Sequence, residues 1–189
     1  IKYVALDKTG TVTVGKPQVR EFATNIDEKQ FFAIVGGIEK QSEHPLGKAV
    51  VTYAEEKGIT FAEPTEFTTV PGKGVVATLD GHTYAVGNKA LMGDQGVAEQ
   101  DYAEVMENYS RRALTCLAVS CDGKYVGVIG VGDEIKATSR EAIALLKNEG
   151  LTPILITGDN AVSAKAVCDE VGITEFVAEV LPQQKEQKI

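Results

Sequence analysis

A short apolar run, Lys2-Tyr3-Val4-Ala5-Leu6, leads directly into Asp7-Lys8-Thr9-Gly10-Thr11. Read as a strand, it places Asp7 at the carboxyl edge of a parallel sheet, where α/β folds bind their ligands. Gly10 permits a sharp turn there, and the backbone N–H groups of such a loop can surround an anion. An aspartate so placed can ligate a metal, cap a turn or helix, or attack as a nucleophile to form an acyl phosphate. A second apolar run, Pro153-Ile154-Leu155-Ile156, ends at Thr157-Gly158-Asp159-Asn160. That segment offers a hydroxyl and the free N–H groups of a helix start to a phosphate. Lys185, beyond Leu181-Pro182, adds a positive charge in an otherwise acidic chain. Nucleophile, hydroxyl donor and cation together describe phosphate chemistry.

Four further groups of residues stand out, each with a plain local reading. Ser42-Glu43-His44-Pro45-Leu46 opens a helix, with Pro45 in the first turn where proline is tolerated; by itself His44 reads as a surface residue at a helix start. Pro71-Gly72-Lys73-Gly74-Val75-Val76-Ala77 contains G-x-G-x-x-A. A strand and not a helix follows it, which argues against a dinucleotide fingerprint and leaves a hairpin bend as the alternative. Gly87-Asn88 is an ordinary turn pair. Asp133, in Gly132-Asp133-Glu134-Ile135-Lys136, reads locally as a helix N-cap.

The elements that must position these residues fall into two rhythms. In the C-terminal third, Ser139, Ala142, Ile143 and Leu146 lead to Gly150, and Ala164, Val167, Cys168 and Val171 lead to Gly172. Helices there alternate with strands at 153–156 and 176–178, as in a parallel sheet. The middle differs: 67–70, 74–79, 83–86, 114–120 and 125–131 read as strands without helical crossovers, the last two joined by a hairpin at Asp122-Gly123. Helical stripes flank them at Phe31, Ile34, Val35 and Ile38, at Leu46, Ala49, Val50 and Tyr53, and at Tyr102, Val105, Met106 and Tyr109, with Asp101 as its N-cap. The first strand belongs with the C-terminal α/β unit, so the antiparallel α+β portion is an insertion.

Composition narrows the function classes. The 189 residues carry Lys+Arg 19 against Asp+Glu 27, a formal net charge of −8, which argues against a nucleic-acid-binding face. The apolar runs are far shorter than the ~20 residues of a membrane-spanning helix. Cys116, Cys121 and Cys168 lack C-x-x-C spacing and suit a reducing setting. The start at Ile1, without a leading Met, reads as a piece of something longer.

The order of Asp7, Thr157 and Lys185 resembles the haloacid dehalogenase superfamily, and Asp7-Lys8-Thr9-Gly10-Thr11 resembles the phosphorylation motif of P-type ATPases. Phosphatases of that superfamily carry a second aspartate at the position of Thr9; its loss should slow hydrolysis of an aspartyl phosphate. Ser42-Glu43-His44-Pro45-Leu46 is similar to the signature of heavy-metal-transporting P-type ATPases, and Ala178-Glu179-Val180-Leu181-Pro182 leans toward copper pumps. The resemblance implies a discontinuous, C-terminally incomplete phosphorylation domain of residues 1–18 and 131–189, built on a parallel sheet, with a nucleotide-binding domain of residues 19–130 inserted. It implies that Asp7, Lys8, Thr9, Thr157, Gly158, Asp159 and Lys185 act in phosphoryl transfer. Glu39, His44, Gly72, Gly74, Asn88 and Asp133 would bind ATP, with Asp133 at the interdomain hinge. Mg²⁺ would lie on Asp7 and the Thr9 carbonyl, since the Gly-Asp-Gly-x-Asn-Asp motif that brings a further Asp ligand does not occur. The expected function is the catalytic core of a heavy-metal cation pump, most simply for Cu⁺, forming the soluble cytoplasmic portion of an integral membrane protein. ATP and ADP are its expected small-molecule partners, actuator and transmembrane domains its covalent ones, and a metallochaperone a candidate partner of the parent. This segment alone is expected to bind ATP with little or no turnover. The rivals are a soluble phosphatase with a cap domain, which calls for Asp at position 9, and a non-catalytic nucleotide-sensing module.

Overall fold

Each strand of the C-terminal rhythm ends where a helix or turn signal begins, and the computed structural model, which describes residues 2–181 and Gln184, builds an α/β unit from them. This unit comprises Ile1–Lys16, Ser110–Thr115 and Asp133–Ile189. Strand β1 (Lys2–Asp7) lies parallel to β8 (Leu151–Ile156), which lies parallel to β9 (Glu175–Val177), giving the order β1-β8-β9. Helix α5 (Ser139–Asn148) precedes β8, and α6 (Ala161–Val171) connects β8 to β9. The expected helical stripe of α6 is the buried one: Ala164, Val167, Cys168 and Val171 are covered, and the last three share a core with Val12, Ile143, Leu155 and Ile173. The Asn160 side chain caps α6 by accepting the Ser163 N–H at 2.9 Å. Burial pushes the Cys168 thiol up to about 11, so it is a small hydrophobe within this core.

The second unit comprises Pro17–Tyr109 and Cys116–Gly132. Its six-stranded sheet has the order β2-β7-β6-β5-β4-β3. The strands are β2 (Gln18–Thr24), β3 (Glu66–Val70), β4 (Gly74–Leu79), β5 (His82–Gly87), β6 (Thr115–Cys121, of which Thr115 belongs to the first unit) and β7 (Lys124–Gly132). Helices α1 (Glu28–Glu39) and α2 (Pro45–Glu56) pack their apolar stripes, Phe31, Ile34, Val35 and Ile38 with Ala49 and Val50, against Val75, Ala77, Val86, Val119 and Ile129. Phe32 sits at the centre of an aromatic cluster, with ring centroids 5.0 Å from Phe22, 5.3 Å from Phe31 and 4.7 Å from Tyr53. Helices α3 (Lys89–Asp94) and α4 (Ala103–Arg111, of which Ser110 and Arg111 belong to the first unit) follow β5 and precede β6. A parallel-sheet portion interrupted by an antiparallel α+β insertion is the fold class expected from the sequence.

Several details differ from the sequence-based expectation. Strand β2 was not foreseen, because a bulge between Val19 and Glu21 breaks its alternation. Asp101 lies in a short turn (Glu99–Asp101), with Tyr102 between it and the start of α4 at Ala103. Ser110–Thr115 falls inside the expected insertion yet packs with α6, where the Ser163 hydroxyl lies 3.0 Å from the Leu114 carbonyl and Asn160 Nδ2 donates to Ser110 Oγ at 3.0 Å. No helix among the described residues is long and apolar enough to cross a membrane.

Candidate active site

Parallel pairing sets Asp7 opposite Ile156, so the chain leaves β1 and β8 side by side at the same sheet edge. Strand alternation then sorts the side chains. Asp7 is exposed, and its neighbour Lys8 is buried. The Lys8 ammonium pairs with Asp159 in the loop after β8, the two side chains being 10% and 14% exposed. The other Asp159 oxygen accepts a hydrogen bond from the Thr115 hydroxyl at 3.0 Å. A cation this far out of water needs its partner, and the pair ties the Asp7 loop to the Thr157-Gly158-Asp159 loop.

The loop after Asp7 turns at Lys8–Val12, where Thr9 is extended (φ −72°, ψ 121°) and Gly10 takes φ 78°. Gly10 has open space where a Cβ would stand, so backbone conformation and not crowding calls for glycine there. Lys136 Nζ donates to the Gly10 carbonyl at 2.8 Å. Thr157 is buried; its Oγ1 accepts the Asp159 N–H at 3.1 Å, and its carbonyl accepts the Val180 N–H at 3.1 Å. Gly158, between them, is exposed.

Asp133 does not cap a helix, since α5 begins at Ser139 behind Thr138. Its Oδ2 accepts the hydroxyl hydrogen of buried Thr13 at 2.6 Å, and its Oδ1 accepts the N–H groups of Gly15 and Lys16 at 3.0 and 3.1 Å. It therefore fixes the segment through which the chain leaves this unit. Thr13 and Thr115 have no role in the sequence reading. Their partners lie 120 and 44 residues away, and no local signal marks them. Lys185 lies outside the described residues.

In the second unit Glu39, at the end of α1, is 4% exposed, and burial raises its carboxyl pKa to about 7 against a smaller opposing effect of its hydrogen bond with Ser42. The carboxylate fills the space beside Gly47 in α2, where a Cβ would come within 2.2 Å of Oε2. Ser42 Oγ also accepts the His44 N–H at 3.2 Å, linking the two expected nucleotide residues. His44 caps α2, its Nδ1 accepting the Leu46 N–H at 3.2 Å. That bond requires the lone pair on Nδ1, and desolvation lowers the imidazole pKa, so the ring is neutral with its proton on Nε2. A neutral imidazole donor joined through Ser42 to a carboxyl that can be protonated near pH 7 suits a polar heterocycle.

The glycine turn lies between β3 and β4. Gly74 (φ 143°) must be glycine, because a Cβ would stand 2.2 Å from the Val86 carbonyl oxygen. Gly72 takes φ 72°, and its carbonyl accepts Asn88 Nδ2 at 2.9 Å. Asn88 Oδ1 meanwhile caps α3 by accepting the Leu91 N–H at 3.1 Å. Both ends of the Asn88 amide are thus engaged with backbone, bracing the glycine turn against α3.

Comparison with known proteins gives a consistent result. A family model of haloacid dehalogenase-like hydrolases matches residues 1–189. The whole chain is 37% identical to part of a copper-exporting P-type ATPase of Staphylococcus saprophyticus, covering 23% of that protein. It is 39% identical over 197 aligned residues to a probable copper-transporting ATPase, HMA5, of Arabidopsis thaliana, covering 20% of it. The chain therefore spans less than a quarter of the length of these relatives. Among solved structures it is similar over its whole length to the catalytic domain of the CPx-ATPase CopB-B, described for its conformational changes on nucleotide binding, with TM-score 0.73 and 26% identity over 65% of that chain.

Proposed function

The chain belongs to the haloacid dehalogenase-like hydrolase family, and from that premise we propose that it is the catalytic core of a copper-transporting P-type ATPase that takes the γ-phosphate of ATP onto Asp7. The observation that carries this reading is the exposed Asp7 at the carboxyl edge of the parallel sheet, level with the Thr157 loop and buttressed by the buried Lys8–Asp159 pair. Cu⁺ as the transported ion rests on the names of the relatives.

An Asp7 carboxylate oxygen attacks the γ-phosphorus. The new O–P bond forms as the bond from phosphorus to the β–γ bridging oxygen breaks, and ADP departs with that electron pair. The Thr157 hydroxyl, which accepts the Asp159 N–H and keeps its own hydrogen to donate, and the N–H of Gly158 face the phosphoryl oxygens, while Lys8 positions the two loops through Asp159. Lys185 is assigned the neutralising cation on the resemblance alone. The Asp7 carboxylate and the Thr9 carbonyl are hard oxygen donors of the kind Mg²⁺ takes. The ion, when bound, would be held by them with the phosphates of ATP and would offset phosphate charge. Thr9 has no carboxylate with which to activate water, so the aspartyl phosphate persists long enough for a conformational change to follow. A phosphatase has no use for such an intermediate.

In the second unit Glu39 and the Nε2–H of His44 receive the adenine, and the Gly72–Gly74 turn admits the nucleotide to the backbone. Asn88 holds that turn in shape. Asp133 fixes the exit of the chain from the phosphorylation unit. We place this portion on the cytoplasmic side of an integral membrane protein whose other domains carry the ion path and drive dephosphorylation. Isolated, it binds ATP with little turnover.

Two measurements test the reading. In a chain extended to the length of its relatives, labelled γ-phosphate should form an acid-stable, hydroxylamine-sensitive adduct that Asp7→Asn abolishes; an adduct surviving that change refutes the nucleophile. In the present chain His44→Asn keeps a good helix cap but removes the imidazole. It should weaken ATP binding about tenfold, the scale of one hydrogen bond, in a calorimetric titration. Unchanged affinity would remove His44 from the pocket.

A further inference from the structure

The chain has two histidines, and the second, His82, has no part in phosphoryl transfer. It opens β5, and the ladder pairs Tyr84 with Cys121 at the end of β6. His82 lies two residues before Tyr84 and so shares its face of the sheet, diagonal to Cys121. Asp122 follows in the left-handed conformation (φ 49°) that begins the β6–β7 hairpin turn. Its N–H donates to the Thr83 carbonyl at 2.8 Å, and its Oδ1 accepts the Thr83 N–H at 2.9 Å. Those two bonds clamp the carboxylate so that Oδ2 turns to His82 Nδ1, 2.6 Å away, with Cys121 Sγ 3.9 Å from the same oxygen. The ligand atoms of the three residues all lie within 4.8 Å of one another, and Cys121 is a free thiol.

We propose that His82, Cys121 and Asp122 form a surface site for a borderline divalent cation of the Zn²⁺ type, separate from the phosphorylation chemistry. Imidazole, thiolate and carboxylate are the three donor classes Zn²⁺ takes, and three protein ligands leave the fourth position to water. Bonds of about 2.0 Å to nitrogen and oxygen and about 2.3 Å to sulfur set tetrahedral ligand atoms roughly 3.3–3.6 Å apart. The His82–Asp122 pair must therefore open by less than about 1 Å, the Cys121–Asp122 pair close by a few tenths, and the His82–Cys121 pair, within 4.8 Å, close by up to about 1.3 Å. The cation takes the lone pair of His82 Nδ1, the imidazole keeping its one hydrogen on Nε2, and it displaces the thiol proton to solvent. Thr83, already bonded to Asp122 Oδ1, orients the carboxylate for it. The hard Mg²⁺ ion has little affinity for such a nitrogen–sulfur set, and Cu⁺ favours sulfur over carboxylate. The bound ion would clip the start of β5 to the β6–β7 hairpin.

Titration of the reduced 189-residue chain with Co²⁺, a spectroscopic stand-in for Zn²⁺, tests this. A thiolate-to-cobalt charge-transfer band should appear, yield to Zn²⁺, and resist excess Mg²⁺. Cys121→Ser should abolish the band, while Cys116→Ser and Cys168→Ser should leave it unchanged. His82→Ala and Asp122→Asn should each weaken binding by at least about tenfold, the loss that removing even an outer-shell partner produces. The asparagine keeps the hairpin turn, so folding is not in question there. Absence of the band, its survival in Cys121→Ser, or unaltered affinity in both His82→Ala and Asp122→Asn would overturn the site.

Discussion

Removing Asp159 should expose how strongly the candidate active site depends on one ion pair. In Asp159→Ala the Lys8 ammonium loses its partner while remaining buried, its own side chain 10% exposed. Breaking a buried pair from one side costs about 3–5 kcal/mol, because the stranded charge is uncompensated. The rim of this pair touches water, which favours the lower end, about 3 kcal/mol, or roughly two decades in the unfolded population. The lost hydrogen bond from Thr115 is part of that figure. The chain has two units, so a single global unfolding energy is a poor observable. Hydrogen exchange read by mass spectrometry on peptides from β1 and β8 isolates the first unit. Lys8→Met/Asp159→Leu, which replaces the pair by apolar groups of similar reach, should recover all but about 1 kcal/mol. If Asp159→Ala costs less than about 1 kcal/mol, as exposed pairs do, Lys8 is hydrated and the buttress argument fails. If the double variant is as unstable as the single one, packing and not charge is responsible.

Glu39 predicts a pH dependence in the second unit. Its folded pKa of about 7 stands above the ordinary carboxyl value of 4.5, so the folded state binds the proton more tightly and stability falls as pH rises from about 4.5 through 7. Glu39→Gln should be near neutral at pH 4 and more stable than the parent chain by about 3 kcal/mol at pH 8, read from urea midpoints; an equal effect at both pH values would refute the burial argument. Two helix glycines should respond oppositely to alanine. Gly93 has open space at its Cβ position and should gain up to about 1 kcal/mol. A Cβ on Gly37 would stand 1.9 Å from the Ala62 carbonyl oxygen and should cost about 1–3 kcal/mol or more despite the same propensity gain. Matching signs in a urea titration would show that the chain at Ala62 yields.

Much of the fold was legible because its signals are local. The stripe on α6 repeats every turn, and five of the six strands in the inserted sheet either alternate or sit between turn residues. Strand β2 was not legible, because its bulge shifts the inside–outside pattern partway along. Ser110–Thr115 was not either, since nothing in Ser-Arg-Arg-Ala-Leu-Thr marks it as a partner of α6. The same division runs through the candidate site. A residue at a strand end is readable from the strand, as Asp7 and Thr157 are, and a helix start is readable from its proline, as at Pro45.

Sequence alone determined which residues stand at strand ends, helix starts and turns, because backbone propensity and hydrophobic period act over a few neighbours. Tertiary structure alone decided what those residues touch. It spends the Lys8 charge on Asp159 across 151 residues of chain, commits Asp133 to Thr13 and not to a helix, and engages both ends of Asn88 in bracing the glycine turn. It also brings His82 to the adjacent Cys121 and Asp122, 40 residues from Asp122 in sequence, at one corner of a sheet. Such pairings follow from strand register and from the burial of charge. Both are properties of the assembled layers, and no window of sequence contains them.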